Sequence, residues 1–502
     1  MKRHLRQALA CLALCAMLAG GLAAPASAAA FRDVPKGHWA AAEIQRCVEL
    51  GFFNGESASR FGVGHSMTRS AFAVVLCRFF GWETPKPQQP VYEDVPVSAW
   101  YAGAVQAAYD HGALTKQQAD FRPDDAITRE ELAVMLVQAL GYTPLAGLAQ
   151  ELPITFRDVK TNAGYIVMAS DLGLMDGTSV TAFSPEKTAT REQAAVILMR
   201  LFDKLHRPVS KAAIISSVDG AAALTGFEAA AVPAGKLLSA GGTRVTPTMA
   251  AETASAVQAA VRQAGCKALL YVVGGPTALN GTTQDTTAVL TAAVENGGYD
   301  GLFLDIPKLK GSGELALTRL VKSLRTALGD RPLYLMAEAP SWQNGTYQGY
   351  DYITLGSCVD HLVLRVPSYE AESRDFPVAP VDPLEEIYYA LGELKDTLED
   401  GKLSLLMTTT GSAWVNSRED TPRTGAEIDA LLAEETTAAY YSDRYGCAYL
   451  TGVNEDRDPL TVWYLDRQAA ADRVQLARCF GVGQICLAEA DGVSPELLAG
   501  LA

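Results

Sequence analysis

Three acids close short apolar runs: Asp305 after Leu302-Phe303-Leu304, Glu338 after Leu333–Ala337, and Glu489 after Ile485–Ala488. Runs of this length, bounded by glycine and proline, read as buried parallel strands. In an eight-fold barrel the C-terminal strand ends share one mouth, so side chains there can converge. Two carboxylates about 5 Å apart suit a retaining attack on a glycosidic bond, and about 6.5–9.5 Å an inverting one. The same acids could instead hydrogen-bond Arg365, Tyr271 or loop amides and keep the mouth ordered. A third possibility is a cleft that binds without chemistry, with Trp342 and Trp414 as flat faces for sugar rings. For Asp305 an ion pair with Arg365, or a bond from Tyr271, is expected, because a buried charge must find a partner or shift its pKa.

The stretch Tyr299-Asp300-Gly301-Leu302-Phe303-Leu304-Asp305-Ile306-Pro307 resembles the barrel-strand signature Asp-Gly-x-Asp-x-Asp-x-Glu of family 18 glycoside hydrolases. Asp300, Gly301 and Asp305 match it, whereas Phe303 replaces the middle acid and Pro307 the proton-donating Glu. The resemblance continues through Leu270-Tyr271-Val272-Val273-Gly274-Gly275, Tyr350–Leu364 and Val462–Ile485. It implies a (β/α)8 TIM barrel over residues 211–502, with Tyr271, Asp300, Asp305, Trp342, Arg365, Tyr369 and Trp414 around its cleft. It also implies that the family reaction is missing. Where the family closes its sixth strand with Met-x-Tyr-Asp, this chain has Arg365-Val366-Pro367-Ser368, with Tyr369 late. The family's sugar-flooring Trp falls on Ala488. An active hydrolase would need rearranged carboxylates, with Asp305, Glu338 and Glu489 the candidates.

Eight strands position these residues: 212–217, 227–233, 267–274, 301–306, 332–338, 360–366, 403–409 and 483–489. Helical patterns such as 250–264, 284–296 and 314–328 lie between them, and a hairpin (447–451 with 460–464) precedes the last helix. Residues 207–210 read as a linker to what comes before.

Residues 29–84, 90–143 and 154–206 form a three-fold repeat. Each opens on Phe31-Arg-Asp33-Val, Tyr92-Glu-Asp94-Val or Phe156-Arg-Asp158-Val, runs through a helix to a glycine turn, and carries Phe61, Phe121 or Phe183. A second helix then starts at Thr68-Arg69, Thr128-Arg129 or Thr190-Arg191, where Thr is a natural N-cap and Glu131 completes a capping box. Units of this size that recur and cannot bury their own face form repeat architectures. The layout resembles S-layer homology (SLH) domains. That resemblance implies an all-α pseudo-trimer whose grooves hold the pyruvylated secondary polysaccharide of a Gram-positive-type wall. Arg69, Arg129 and Arg191 would offer planar forks to a ketal carboxylate, and Trp39 and Trp100 flat faces to sugars. The three aspartates are expected to tie down the turn before each first helix.

The 502 residues are 49% hydrophobic, 20% charged and carry a net charge of −15. Residues 1–28, with a basic start, an apolar core and Ala26-Ser27-Ala28, read as a signal peptide. Lys2, Arg3 and Arg6 would leave with it, taking the charge to −18. This balance excludes nucleic acid or an anionic polymer bound by bulk attraction. The other seven cysteines are scattered in apolar contexts, without metal-ligand spacing, and read as free thiols. No cofactor or metal is expected. The chain reads as an exported wall protein, free of the membrane once the signal is removed, whose partners are wall polysaccharide and peptidoglycan or another glycan.

Overall fold

The computed structural model describes residues 31–116, 119–342, 349–367, 369 and 376–502, so the signal-like segment 1–28 lies outside the described residues. The chain divides into two compact units between His206 and Arg207.

The first unit is helical. Repeat one holds α1 (Ala41–Glu49) and α2 (Arg69–Phe80), repeat two α3 (Ala102–Asp110) and α4 (Arg129–Ala139). After α5 (Thr143–Ala149), repeat three holds α6 (Ala163–Asp171) and α7 (Arg191–Leu205). Each first helix stops at a glycine with φ between 63° and 77° (Gly51, Gly112, Gly173), a conformation that costs other residues strain. Thr68 caps α2 by accepting from Ala71 N, and Thr128 and Glu131 form the expected capping box on α4. The repeats close on themselves through three buried residues. Ile127 N donates to Met67 O, Met67 N to Ala189 O and Ala189 N to Ile127 O, at 2.8–3.0 Å. Each repeat thus gives one bond to a neighbour and receives one from the other, a cyclic arrangement.

The second unit is the expected barrel. Its parallel strands are β1 (Ser210–Ile214), β2 (Ala229–Leu238), β4 (Lys267–Gly274), β5 (Gly301–Asp305), β6 (Leu333–Glu338), β7 (His361–Arg365), β8 (Leu403–Met407) and β14 (Gln484–Leu487). They pair in the order β1-β14-β8-β7-β6-β5-β4-β2, and a β1–β2 pairing closes the ring. All eight expected strands are present. Ser210, assigned to the linker, already belongs to β1 and pairs with Gln484. β2 runs on to Leu238 past a bulge, and its extension pairs with the antiparallel β3 (Arg244–Pro247). Helices α8 (Ala251–Gln263), α9 (Thr283–Asn296), α10 (Gly311–Leu328), α11 (Tyr352–Cys358) and α12 (Leu384–Leu394) join successive strands.

Inside the barrel, alanines on β1 and β2 face large rings on β4 to β6: Ala212, Ala229 and Ala231 share a core with Tyr271, Phe303 and Tyr334. Strand side chains alternate, so residues two places beyond a core residue point inward again. The expected hairpin is part of a five-stranded antiparallel sheet. β9 (Ser412–Val415), β10 (Arg418–Glu419), β11 (Ala438–Ser442), β12 (Cys447–Val453) and β13 (Pro459–Tyr464) lie in the order β10-β9-β13-β12-β11, with α13 (Gly425–Leu432) inserted. α14 (Arg467–Cys479) and α15 (Pro495–Gly500) flank β14. All seven cysteines of the described residues are free, and only Cys358 is not fully buried.

Candidate functional site

At the barrel mouth, alternation selects which acids meet. Asp305 follows Phe303 by two, Glu338 follows Met336 by two and Arg365 follows Val363 by two, and all three reference residues are in the core. Pairing of β6 with β7 sets Glu338 beside Arg365 in register. The Arg365 guanidinium bridges both acids: its Nη2 bonds Asp305 Oδ2, and Nη1 lies 3.0 Å from Glu338 Oε1 and 3.4 Å from Asp305 Oδ1. From β4, the Tyr271 hydroxyl donates to Asp305 Oδ2 at 2.7 Å. The Asp305 side chain is only 3% exposed and that of Glu338 12%.

Burial works against the charge on Arg365, but Asp305 and then Glu338 outweigh it and hold the guanidinium firmly protonated. Burial, and next the Asp305 carboxylate, push the Tyr271 hydroxyl far up, so it stays a donor. Both acids are therefore committed to a cation that sits between them.

The expected third acid does not join. Ala488 packs against the barrel core, so the next residue, Glu489, falls on the other face; it is exposed and shares no hydrogen bond with the cluster. Asp300 is also a correction. It precedes β5 and so sits at the opposite end of the barrel, where it accepts from Ala268 N and pairs with Arg262 of α8. Tyr369 is buried against α12, its hydroxyl bonded to Glu385 Oε1. Trp342 lies beyond β6, its amide on Glu386 and its ring near Tyr389. Trp414 belongs to the appended sheet, with its indole on Ser412. Of the expected cleft residues and candidate acids, Tyr271, Asp305, Glu338 and Arg365 are the ones linked to one another among the described residues. Tyr350, whose hydroxyl donates to Ile306 O, and Tyr352, bonded to Glu338 O, also hold the mouth. Sequence reasoning missed both roles, although Tyr350-Asp-Tyr352 lay within the quoted resemblance.

In the helical unit the three arginines act across repeats. Arg69 Nε bonds Phe121 O (2.7 Å), Arg129 Nε bonds Phe183 O (3.0 Å), and Arg191 Nε bonds Phe61 O (2.9 Å). Each guanidinium also lies over the ring of that same phenylalanine, 4.6–5.0 Å from its centroid. The aspartates grip the same residue from its own repeat. Asp33 accepts from Phe61 N, Asp94 from Phe121 N and Asp158 from Phe183 N. This corrects the expectation that they tie the turn before the first helix.

The arginine and tryptophan of one site are not brought together. Arg69 begins α2, whereas Trp100 lines a cleft of about 650 Å³ at the other end of α2, with Arg78, Gly81 and Lys86. Twelve helical residues separate these ends by roughly 18 Å. Trp39 and Trp100 are 60% and 71% exposed, so their indole faces are open to a ligand. Among the described residues no group of three His, Cys, Asp or Glu could hold a metal ion, and no helix is long and apolar enough to cross a membrane.

The S-layer homology domain family matches residues 30–73, 91–133 and 155–195. An endoglucanase of Bacillus sp. (strain KSM-635) is 32% identical over 185 residues, covering 35% of this chain and 19% of its own. The S-layer protein EA1 of Bacillus anthracis is 29% identical over 185 residues, covering 36% and 21%. The chain thus spans about a fifth of the length of these curated relatives. Among solved structures, the spore cortex-lytic enzyme SleL of Bacillus cereus aligns with a TM-score of 0.51 at 16% identity, over 59% of this chain and 74% of that one. A chitinase from Chromobacterium violaceum gives 0.50 at 18%, over 58% and 98%. At such identities the likeness is one of fold. The helical unit is built of three S-layer homology domains and the second unit is a closed eight-stranded parallel barrel with the fold of those two enzymes; the domains and their S-layer relatives place the protein at the cell surface.

Proposed function

We propose that the SLH domains hold the protein to a pyruvylated secondary wall polysaccharide, and that the barrel binds glycan or serves as a scaffold without hydrolysing it. The observation that carries the reading is the Asp305–Arg365–Glu338 bridge. It fills the mouth where strand-end carboxylates would otherwise meet a sugar. General acid catalysis contributes typically 10²–10⁴-fold, and it needs a proton held free for the leaving oxygen. Here Pro307 stands where the family acid would be, and both nearby carboxylates are spent on the guanidinium.

The test uses the full chain with purified walls, peptidoglycan and chitin oligosaccharides, scoring retention and new reducing ends together. Retention on walls, lost once the secondary polysaccharide is extracted, without new reducing ends supports the reading. Turnover that disappears in Glu338→Gln or Asp305→Asn overturns the barrel half. Equal binding to stripped walls overturns the anchoring half.

A further inference from the structure

The three arginines that bridge neighbouring repeats, each marking a groove of the proposed reading, make the same backbone bond and differ in the charges around them. This rests on the reading that the repeats hold an anionic wall saccharide. We infer that only the grooves of Arg129 and Arg191 take the anionic sugar, and that Glu131 keeps the Arg69 groove shut.

The difference arises at the third residue of each second helix. In repeat two it is Glu131, in repeat three Gln193 and in repeat one Ala71. Arg69 reaches into repeat two and meets Glu131, with Nη1 2.8 Å from its Oε1. Arg122 bonds the same carboxylate and Asp125, so the groove's four charges satisfy one another. Arg129 reaches repeat three, where the position equivalent to Glu131 is the uncharged Gln193, and Arg191 reaches repeat one, where it is Ala71.

These two arginines spend their remaining bonds on neutral atoms. Arg129 Nη2 donates to Asp176 O (2.6 Å) and Arg191 Nη2 to Asn54 O (2.8 Å). Each carbonyl belongs to the third residue after the turn glycine. In repeat two that residue is Thr115, and its carbonyl is taken by the hydroxyl of Tyr92, where the other repeats have Phe31 and Phe156. One Phe-to-Tyr difference and one added acid thus redirect Arg69.

Neither Arg129 nor Arg191 has a carboxylate within ion-pair distance among the described residues, and Nη1 of each is unspent. Nearby acids are engaged elsewhere: Asp176 by Arg200, Glu56 by His65, and the buried Glu192 by the Gly64 N–H. Asp33, Asp94 and Asp158 serve backbone N–H groups in every repeat and do not discriminate between grooves. Burial accordingly pulls the pKa of Arg129 and Arg191 down, as expected for a cation lacking a counter-charge. A half-buried guanidinium with a spare N–H and no counter-ion fits a carboxylate on a sugar ring.

The experiment titrates the full chain with a hexosamine oligosaccharide carrying one ketal-linked pyruvate, and with the same saccharide lacking it. Calorimetry should give two charged-ligand sites per chain. Gln193→Glu supplies Arg129 with the acid that Arg69 has and keeps the cap, since Gln193 already accepts from Thr190 N. It should remove one site by weakening it at least about tenfold, while the thermal midpoint holds. Glu131→Gln should add a third site. Three sites in the wild type, or two in Gln193→Glu, overturns the inference while leaving anchoring intact. Binding to walls with no saturable uptake of the charged saccharide also overturns it. No binding to walls at all sinks the anchoring reading instead.

Discussion

The two units solve the same problem, a guanidinium taken out of water, in opposite ways. At the barrel mouth Arg365 is met by two carboxylates and a tyrosine-supported network, so its charge is more than neutralised. In the repeats Arg129 and Arg191 are met by carbonyls and a ring face, so Nε and Nη2 are bonded while the charge goes unmatched. A cation matched by acids stabilises a fold and leaves little for a ligand. One matched by dipoles leaves a site. Under the proposed function the barrel mouth serves architecture and two of the grooves serve recognition.

The largest effect should come from breaking the matched cation. Arg365→Met installs the methionine that the family 18 resemblance puts at this strand end, yet it strands the buried Asp305 beside the half-buried Glu338. Breaking such a pair typically costs about 3–5 kcal/mol, which for a unit of this size is a drop in melting temperature on the order of 10 °C. Stranded acids repel, raising their pKa above the unfolded value. The deficit should therefore shrink as pH falls toward 4, where they protonate. An unchanged melting temperature would mean that the bridge contributes nothing. Asp305→Asn should cost less, about 1–3 kcal/mol, because Arg365 keeps Glu338 and Tyr271 can donate to the amide oxygen. If Asp305→Asn costs as much as Arg365→Met, the cluster is held by Asp305 alone.

Next in size is wall binding. Arg129→Ala should weaken it by at least about tenfold, whereas Arg69→Ala should cost stability and leave binding near wild type. Equal losses of binding would erase the contrast between grooves. Since Arg129→Ala also removes a bond between repeats, its melting curve must be read beside the binding curve.

Much of this was legible in sequence, for physical reasons. Parallel barrel strands are buried on both faces, so they stand out as apolar runs. The Asp305–Arg365 pair followed from a buried acid needing a partner. Glu489 failed because an apolar run does not reveal which alternate positions face inward. Asp300 was misplaced because it precedes its strand, and a motif carries no sense of which barrel end each residue occupies. The arginines were recognised as functional, but their bonds join residues 52 to 130 positions apart, and no local pattern encodes that. The appended sheet was half seen: its short outer strands have weak alternation, and only the β12–β13 hairpin is apolar enough to read.

The smallest effect concerns the aspartates, where a full charge is held mainly by backbone dipoles. Two N–H groups, Phe183 first and then Ser184, hold the Asp158 carboxyl below its usual range, with modest opposition from burial. A carboxylate with a depressed folded pKa stabilises above its unfolded value, about 3.9, and that stability is lost as pH falls through the folded value. Asp158→Asn keeps one acceptor oxygen but no charge. At pH 7 the variant should melt slightly below wild type; below pH 4 the two curves should converge. The group is half-buried at the surface, so the gap is modest and high salt should narrow it. A gap that stays constant from pH 7 to pH 2 would show that geometry, not charge, matters at Asp158. Asp158 would then hold its loop by geometry alone, and Glu131 would remain the charge that separates one groove from another.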